Sequence, residues 1–269
     1  MNQVSFLGPN GTFTHEAAST VSDNLISYCS IQSVMESVMN DECSKGIVPI
    51  ENSIEGSVTL TLDLLVHKFD LMIEGEIIIP INHNLLVNQG AKIEDITDVY
   101  SHSQALAQCQ PFLEDMEVNK HFSLSTAAAA KKVKGLNNSA AIGTLTAGKL
   151  YGLIPLIKNI QDNDTNQTRF IILSKNDHEP TGNDKTSIIF SLFDDAESGA
   201  LYKVLEIFAK ENISLTKIES RPSKEGLGSY LFFIDLEGHR LDDNISRILK
   251  EVKNKTSFFK ILGSYPFYQ

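Results

Sequence analysis

Short apolar runs alternate with helical patterns over the first 175 residues of the chain. Apolar runs of strand length fall at residues 4–7, 25–28, 46–50, 71–79, 84–87, 98–100, 121–124, 140–143, 157–160 and 170–173. Between them, apolar positions recur at helical spacing over residues 14–21, 33–39, 60–68, 103–113, 127–134 and 145–151. This rhythm predicts an α/β architecture with mostly parallel strands. The region is long enough to fold as two lobes with a cleft between them, and ligands of such sheets sit outside the carboxyl ends of the strands.

A polar stretch, residues 174–184, interrupts the pattern and reads as a linker by composition. The pattern then predicts a strand at 186–193 and an amphipathic helix at 200–210, with Leu201, Val204, Leu205, Phe208 and Ala209 on one face. Strands at 215–221 and 229–236 flank a turn at Gly226 and Gly228, a helix at 244–253 aligns Ile245, Ile248, Leu249 and Val252, and a strand closes at 258–262. The order βαββαβ is that of a ferredoxin-like unit. Expected domain boundaries are therefore 1–175, a linker at 176–184, and 185–269.

Composition narrows the partners. Of 269 residues, 42% are hydrophobic and 21% charged, as in ordinary globular proteins, and the formal charge is −11. Such a balance disfavours nucleic acid or an anionic membrane as the main partner, since a phosphate backbone selects a basic face. No apolar run is long enough to span a membrane. The start, from Met1 to Leu7, lacks a basic segment before its apolar residues and reads as a first strand rather than a signal peptide. Cys29, Cys43 and Cys109 are odd in number and lack metal-ligand spacing, so all three are expected as reduced core or near-core residues in the cytoplasm.

Candidate chemistry gathers at the junctions between strands and helices. These carry Gly8 to Thr14, Glu51 to Val58, Ser101-His102-Ser103-Gln104, Ser125-Thr126, Gly143-Thr144, and Thr168-Arg169 at the start of an apolar strand. Any one hydroxyl or amide there serves as a helix cap. Together, on one side of a sheet, they predict an anion site, because capped helix starts expose N–H groups without requiring a basic protein. Arg169 adds a planar donor fork that fits a carboxylate. Glu51 and Glu55 fall on an expected loop and do not read as a catalytic carboxylate pair, and His102 reads first as a hydrogen-bonded structural residue. No Ser-His-Asp triad, phosphate loop or metal-ligand spacing is present in the sequence.

Gly8-Pro9-Asn10-Gly11-Thr12-Phe13, Val48 through Gly56, Ser101-His102-Ser103-Gln104-Ala105-Leu106, Ser125-Thr126-Ala127-Ala128-Ala129 and Thr168-Arg169-Phe170 resemble the successive motifs of prephenate dehydratases. The C-terminal part resembles the ACT regulatory domain of the same enzymes: Gly199-Ala200-Leu201 and Glu219-Ser220-Arg221-Pro222 stand at its two phenylalanine-binding motifs. Ser103 replaces a usual Pro and Gln161 a usual Glu, which bears on loop stiffness and on charge near the cleft.

The resemblance implies a two-lobed, periplasmic-binding-protein-like catalytic domain plus an ACT domain. It implies conversion of prephenate to phenylpyruvate with loss of carbon dioxide and water, driven by aromatisation without a cofactor or metal. Thr168 is then expected at the leaving oxygen, with Asn52, Ser53, Ser101, His102, Gln104, Ser125, Thr126, Arg169 and Phe170 binding substrate. Phenylalanine is the expected effector, a homodimer or homotetramer the expected assembly, and a monofunctional enzyme the expected form. Arogenate dehydratase and a non-catalytic, two-lobed amino-acid-sensing protein are the alternatives.

Overall fold

The computed structural model describes residues 3–193, 197–224, 226 and 228–268. Met1 and Asn2, at the head of the expected first strand, lie outside them. The chain divides into two compact units. One holds the residues up to Thr61 with Ile77–Phe170, and the other holds Leu62–Glu76 with the residues from Ile171 onward.

In chain order the elements before the polar stretch are β1 (Val4–Leu7), α1 (Phe13–Ser19), β2 (Leu25–Tyr28), α2 (Ile31–Met39), β3 (Lys45–Asn52), β4 (Gly56–Ser57), α3 (Thr59–His67), β5 (Met72–Pro80), β6 (Asn84–Val87), β7 (Asp98–Ser101), α4 (Ser103–Ala107), α5 (Gln110–Asp115), β8 (Asn119–Phe122), α6 (Thr126–Val133), β9 (Ser139–Gly143), α7 (Leu145–Tyr151), β10 (Ile154–Ile157) and β11 (Gln167–Ser174).

They form two sheets. The first has the order β2-β1-β3-β11-β5, with β4 on β3, and β1 runs parallel to both β2 and β3. Its apolar strand residues Val4, Phe6, Ile47 and Val48 are buried. Gly46 lets α2 approach β3: a Cβ there would come within 2.9 Å of Val34. The second sheet has the order β10-β6-β9-β7-β8. Here β7 is parallel to β8 and β9, but β6 is antiparallel to both β9 and β10. This sheet is therefore mixed, not mostly parallel as the alternation suggests.

Three local expectations change for identifiable reasons. The helix expected at 103–113 is two helices, because Pro111 in the first turn of α5 has no N–H for the preceding ladder. The strand expected at 157–160 lies at Ile154–Ile157 instead, with Pro155 tolerated at a bulge on the sheet edge. Ile160 instead enters the core with Leu85, Val99 and Ile142. The strand expected at 121–124 ends at Phe122, and Leu124 is 96% exposed.

After the polar stretch come β12 (Asp184–Ser191), α8 (Ala200–Lys210), β13 (Leu215–Pro222), β14 (Tyr230–Glu237), α9 (Asp243–Asn254) and β15 (Phe258–Pro266), the βαββαβ order read from the sequence. The sheet order is β13-β14-β12-β15, and each of its pairs is antiparallel. Ile188, Phe190, Phe232 and Ile234 form a core with Val204, Phe208, Ile248 and Leu249 of the two helices.

The opposite face carries Lys185, Ser187 and Asp235. Ser187 Oγ bonds to Asp235 at 2.5 Å and to the Tyr265 hydroxyl at 2.6 Å. Leu62–Glu76 meets this face of the same unit: Lys185 Nζ reaches Glu76 at 2.9 Å, Arg221 reaches Asp63 at 3.3 Å, and Lys260 donates to the Leu65 and Phe69 carbonyls. The polar stretch is bonded here as well, with Asp177 accepting from Arg240 at 2.7 Å and from Ser264 N at 3.0 Å.

Gly263 marks where β15 bulges against β12. Its φ is +149°, and a Cβ there would lie 2.7 Å from Ile73 N and press on the Ile73 carbonyl. Both neighbours are backbone, so no rotamer relieves the clash. Gly263→Ala is expected to cost about 2–3 kcal/mol and lower Tm by about 5 °C or more in thermal unfolding followed by circular dichroism. An unchanged Tm would mean that β15 does not approach β5 this closely.

Candidate active site

A cavity of about 320 Å³ opens in the first unit. Its wall includes Gly8, Thr12, Asn52 and Thr168 from the first sheet and its connections, and His102, Gln104, Gln108, Ser125 and Thr126 from those of the second. The polar junctions thus face one another from two sheets rather than lining one side of a single sheet. Leu7, Phe13, Ile81, Ala105 and Leu124 supply apolar wall.

Asn52 organises the polar end. It sits where β3 stops, and its Oδ1 accepts from the backbone N–H groups of Ile54 and Glu55, both at 3.0 Å. This local turn orients the amide, so Nδ2 faces Asn166 Oδ1 at 2.7 Å, the Gln167 carbonyl at 3.0 Å and Thr168 Oγ1 at 2.9 Å. Thr168 accepts from Asn52, and its own proton is left to be directed elsewhere. Asn166 Nδ2 donates to Gln108 Oε1 at 3.0 Å, and His83 Nε2 lies 3.0 Å from that same oxygen.

The second sheet's connections contribute capped helix starts. Ser125 Oγ accepts from Ala128 N at 3.0 Å and caps α6. His102 caps α4, its Nδ1 accepting from Gln104 N at 3.4 Å. Thr144 caps α7 and donates to the Gly11 carbonyl at 2.8 Å.

Asn52, His102, Gln104, Ser125, Thr126 and Thr168 line the cavity, and four other predicted residues do not. Ser53 is exposed; its hydroxyl donates to the Thr165 carbonyl and accepts from Gln167 N. Ser101 is fully buried in β7 and donates to the Ile142 carbonyl at 2.8 Å. Phe170 is core. Arg169 alternates to the face of β11 opposite Thr168, as strand period dictates, and its buried guanidinium lies 3.6 Å from Glu51. Glu51 belongs to β3 rather than to a loop. Ser103 is exposed, while Gln161, in place of the usual Glu, uses its oxygen to accept from His83 N at 2.9 Å.

His83, Gln108 and Asn166 also line the cavity and are not among the residues expected from the sequence. Gln108 follows Gln104 by one helical turn, and that spacing was a usable signal. His83 stands between Asn82 and Asn84 just ahead of β6, and nothing in that local sequence points to Gln108.

Residues 4–178 match the family described as prephenate dehydratase. The chain belongs to the prephenate dehydratase family. Residues 186–254 match the ACT domain. The prephenate dehydratase of Methanocaldococcus jannaschii is 42% identical over 98% of both chains. The bifunctional chorismate mutase/prephenate dehydratase of Aquifex aeolicus is 45% identical over 98% of this chain and 73% of its own length. The prephenate dehydratase of Arthrobacter aurescens, solved in complex with L-Phe, is 34% identical with a TM-score of 0.89, covering 98% of this chain and 90% of that one.

The catalytic part thus has the two-lobed, periplasmic-binding-protein-like α/β fold of prephenate dehydratases, followed by an ACT domain. The chain is a hydro-lyase acting on prephenate. None of its helices is long and apolar enough to cross a membrane among the described residues.

In this prephenate dehydratase fold, burial lowers the pKa of His83, opposed by its bond to Gln108, so the imidazole stays neutral. Burial, with Asp162 adding, pushes the Cys109 thiol up to about 12. Cys43 and Cys109 are buried as expected, but Cys29 is exposed, at the end of the short strand β2. Titration with Ellman's reagent at pH 8 is expected to find one fast thiol in the native protein and three after guanidinium unfolding. Two or more fast native thiols would contradict the burial of Cys43 and Cys109.

Proposed function

We propose that prephenate binds in this cavity and that Thr168 donates a hydrogen bond to the departing ring hydroxyl. The observation that carries the reading is the bond from Asn52 Nδ2 to Thr168 Oγ1, because a hydroxyl engaged as an acceptor has its proton available for another partner. An alcohol is a poor acid, so Thr168 stabilises or relays rather than fully transfers a proton. Aromatisation supplies the driving force as carbon dioxide and hydroxide leave.

The remaining roles follow from the same geometry. Gln104, Gln108, Ser125 and Thr126 offer neutral donors to the two carboxylates and the keto group, and the N-terminus of α6 adds N–H groups. Apolar walls at Phe13, Ile81 and Leu124 suit the ring. Ser53 supports the site by joining the Asn52 turn to Thr165 and Gln167. Ser101 and Phe170 act from the core, and Arg169 braces β11 through Glu51.

Among the described residues no Asp or Glu lines the cavity, while Gln108 Nε2 meets Glu55 only at 3.5 Å. A site without a lining carboxylate favours the keto group of prephenate over the ammonium of arogenate. A kcat/KM for arogenate above that for prephenate would reverse this preference.

General-acid help of this kind contributes about 10²–10⁴ in rate. Thr168→Ala is therefore expected to lower kcat at least about 100-fold with Tm unchanged, while Thr168→Ser retains a substantial part. The readout is phenylpyruvate absorbance, and a near-normal kcat in Thr168→Ala would refute the role.

Phenylalanine acts at the ACT domain in this proposal, as negative feedback by an end product, in a cytoplasmic homodimer or homotetramer. Ser220 pairs with Phe232 in register, which puts it on the helix side of the sheet, as are Gly199, Ala200 and Leu201 at the start of α8. Glu219 and Arg221 point to the other side, so the motif from Glu219 to Pro222 cannot present all its side chains to one ligand. Ser220 and the α8 start would contact phenylalanine, with Arg221 acting through Asp63. Ser220→Ala and Arg221→Ala are each expected to weaken inhibition by phenylalanine, within a coupling of about 1–3 kcal/mol, with unchanged kcat in its absence. If phenylalanine inhibits both variants as it does the parent, the effector site lies elsewhere.

A further inference from the structure

We infer that His83 is a positioning residue for the dehydration: through Gln108 and Asn166 it fixes the chain of amides that presents the Thr168 hydroxyl to substrate. The inference rests on the proposed role of Thr168 and adds a residue that lines the same cavity, as Asn166 does, and acts through the amides between them.

The hydrogen bonds have a single consistent direction. Asn52 Oδ1 is committed to the N–H groups of Ile54 and Glu55, so Nδ2 must face Asn166 Oδ1 and Thr168. Asn166, with its oxygen turned to Asn52, presents Nδ2 to Gln108 Oε1. That oxygen can only accept, so His83, 3.0 Å away, must carry its proton on Nε2. Gln108 Nε2 points the other way, towards Glu55 at 3.5 Å, in agreement with this direction.

The imidazole is held at both ends of its own residue. His83 N donates to Gln161 Oε1 at 2.9 Å, and its carbonyl accepts from Ile160 N at 2.9 Å. The Phe13 ring stands edge-on to it at 5.7 Å between centroids. The residue is 3% exposed, and Nδ1 is buried with no hydrogen-bond partner. A neutral ring with a bare Nδ1 and a protonated Nε2 is the one form that satisfies Gln108 without a buried charge.

Without the Nε2–H, Gln108 Oε1 loses one of its two donors. Its amide can then turn over and set Nε2 against Asn166 Nδ2, donor against donor. Asn166 would shift, and Asn52 would lose the acceptor that helps aim it at Thr168. Misplacement of this order at a reacting group costs about 10²-fold in rate.

The test uses the full-length protein and prephenate. His83→Leu is expected to lower kcat about 10- to 100-fold with KM within about threefold. His83→Gln, whose Nε2 can donate from nearly the same place, is expected to recover most of that loss. The double variant His83→Leu/Thr168→Ala should be no slower than Thr168→Ala alone, because both act through one hydroxyl. Any acidic limb of the parent kcat should persist in His83→Gln, since neutral and protonated rings both carry the Nε2 proton and His102 also lines the cavity.

Parental kcat in His83→Leu, equal losses in His83→Gln and His83→Leu, or additive losses in the double variant would each overturn the inference. So would an acidic limb in the parent that His83→Gln abolishes, which would make His83 a proton-transfer group. Should His83→Leu not fold, imidazole ¹⁵N shifts of the parent decide, with an Nε2–H tautomer expected and an Nδ1–H tautomer excluding the chain. Absence of any parental turnover would instead refute the proposed function of the cavity, a separate result.

Discussion

The Asn52 side-chain amide is the constraint on which the candidate site depends. Its oxygen is used up by two backbone N–H groups of the turn that follows β3, and its nitrogen faces three acceptors around the start of β11. Turning it over would take the donor from the part-buried Asn166 and Thr168 oxygens, at about 1–3 kcal/mol each, and release the exposed turn as well. Two strands far apart in sequence are thereby locked in register at the point where Thr168 emerges. The polar cluster around it is built from neutral groups, which suits an acidic protein that binds an anion.

Much of this was legible in the chain. Strand and helix rhythm gave the α/β character and the βαββαβ order because period 2 and period 3.6 are set by backbone geometry. The hydroxyl of Ser125 is legible because capping chemistry is local, and Thr168 because a polar cluster there runs straight into an apolar strand. What depends on pairing between distant strands was not legible: β6 runs antiparallel, and no local pattern encodes direction. Nor does adjacency in a motif imply adjacency in space, since Ser101 and His102 separate into core and cavity wall, and Thr168 and Arg169 face opposite sides of one strand. The role of His83 is not legible in the chain, because its partner Gln108 is 25 residues away and only the fold brings the two together.

The same alternation divides the second unit. Its helix side carries Ser220 and the α8 start, while Arg221, Lys185 and Lys260 stand on the side met by Leu62–Glu76. One strand, β13, thus bears residues of the expected effector motif on one face and an ion pair to α3 on the other.

Because the second unit includes Leu62–Glu76, it is discontinuous in the chain. That segment places Leu62, Leu65, Leu71 and Ile73 in the interior, and the rest of its unit begins only at Ile171. During synthesis it precedes the rest of its unit by the whole of Ile77–Phe170, a long-range assembly of the kind that slows folding. A fragment beginning near the polar stretch would lack the segment altogether and would leave one face of its sheet open to water. Lys185 would then lack Glu76, and Lys260 the Leu65 and Phe69 carbonyls.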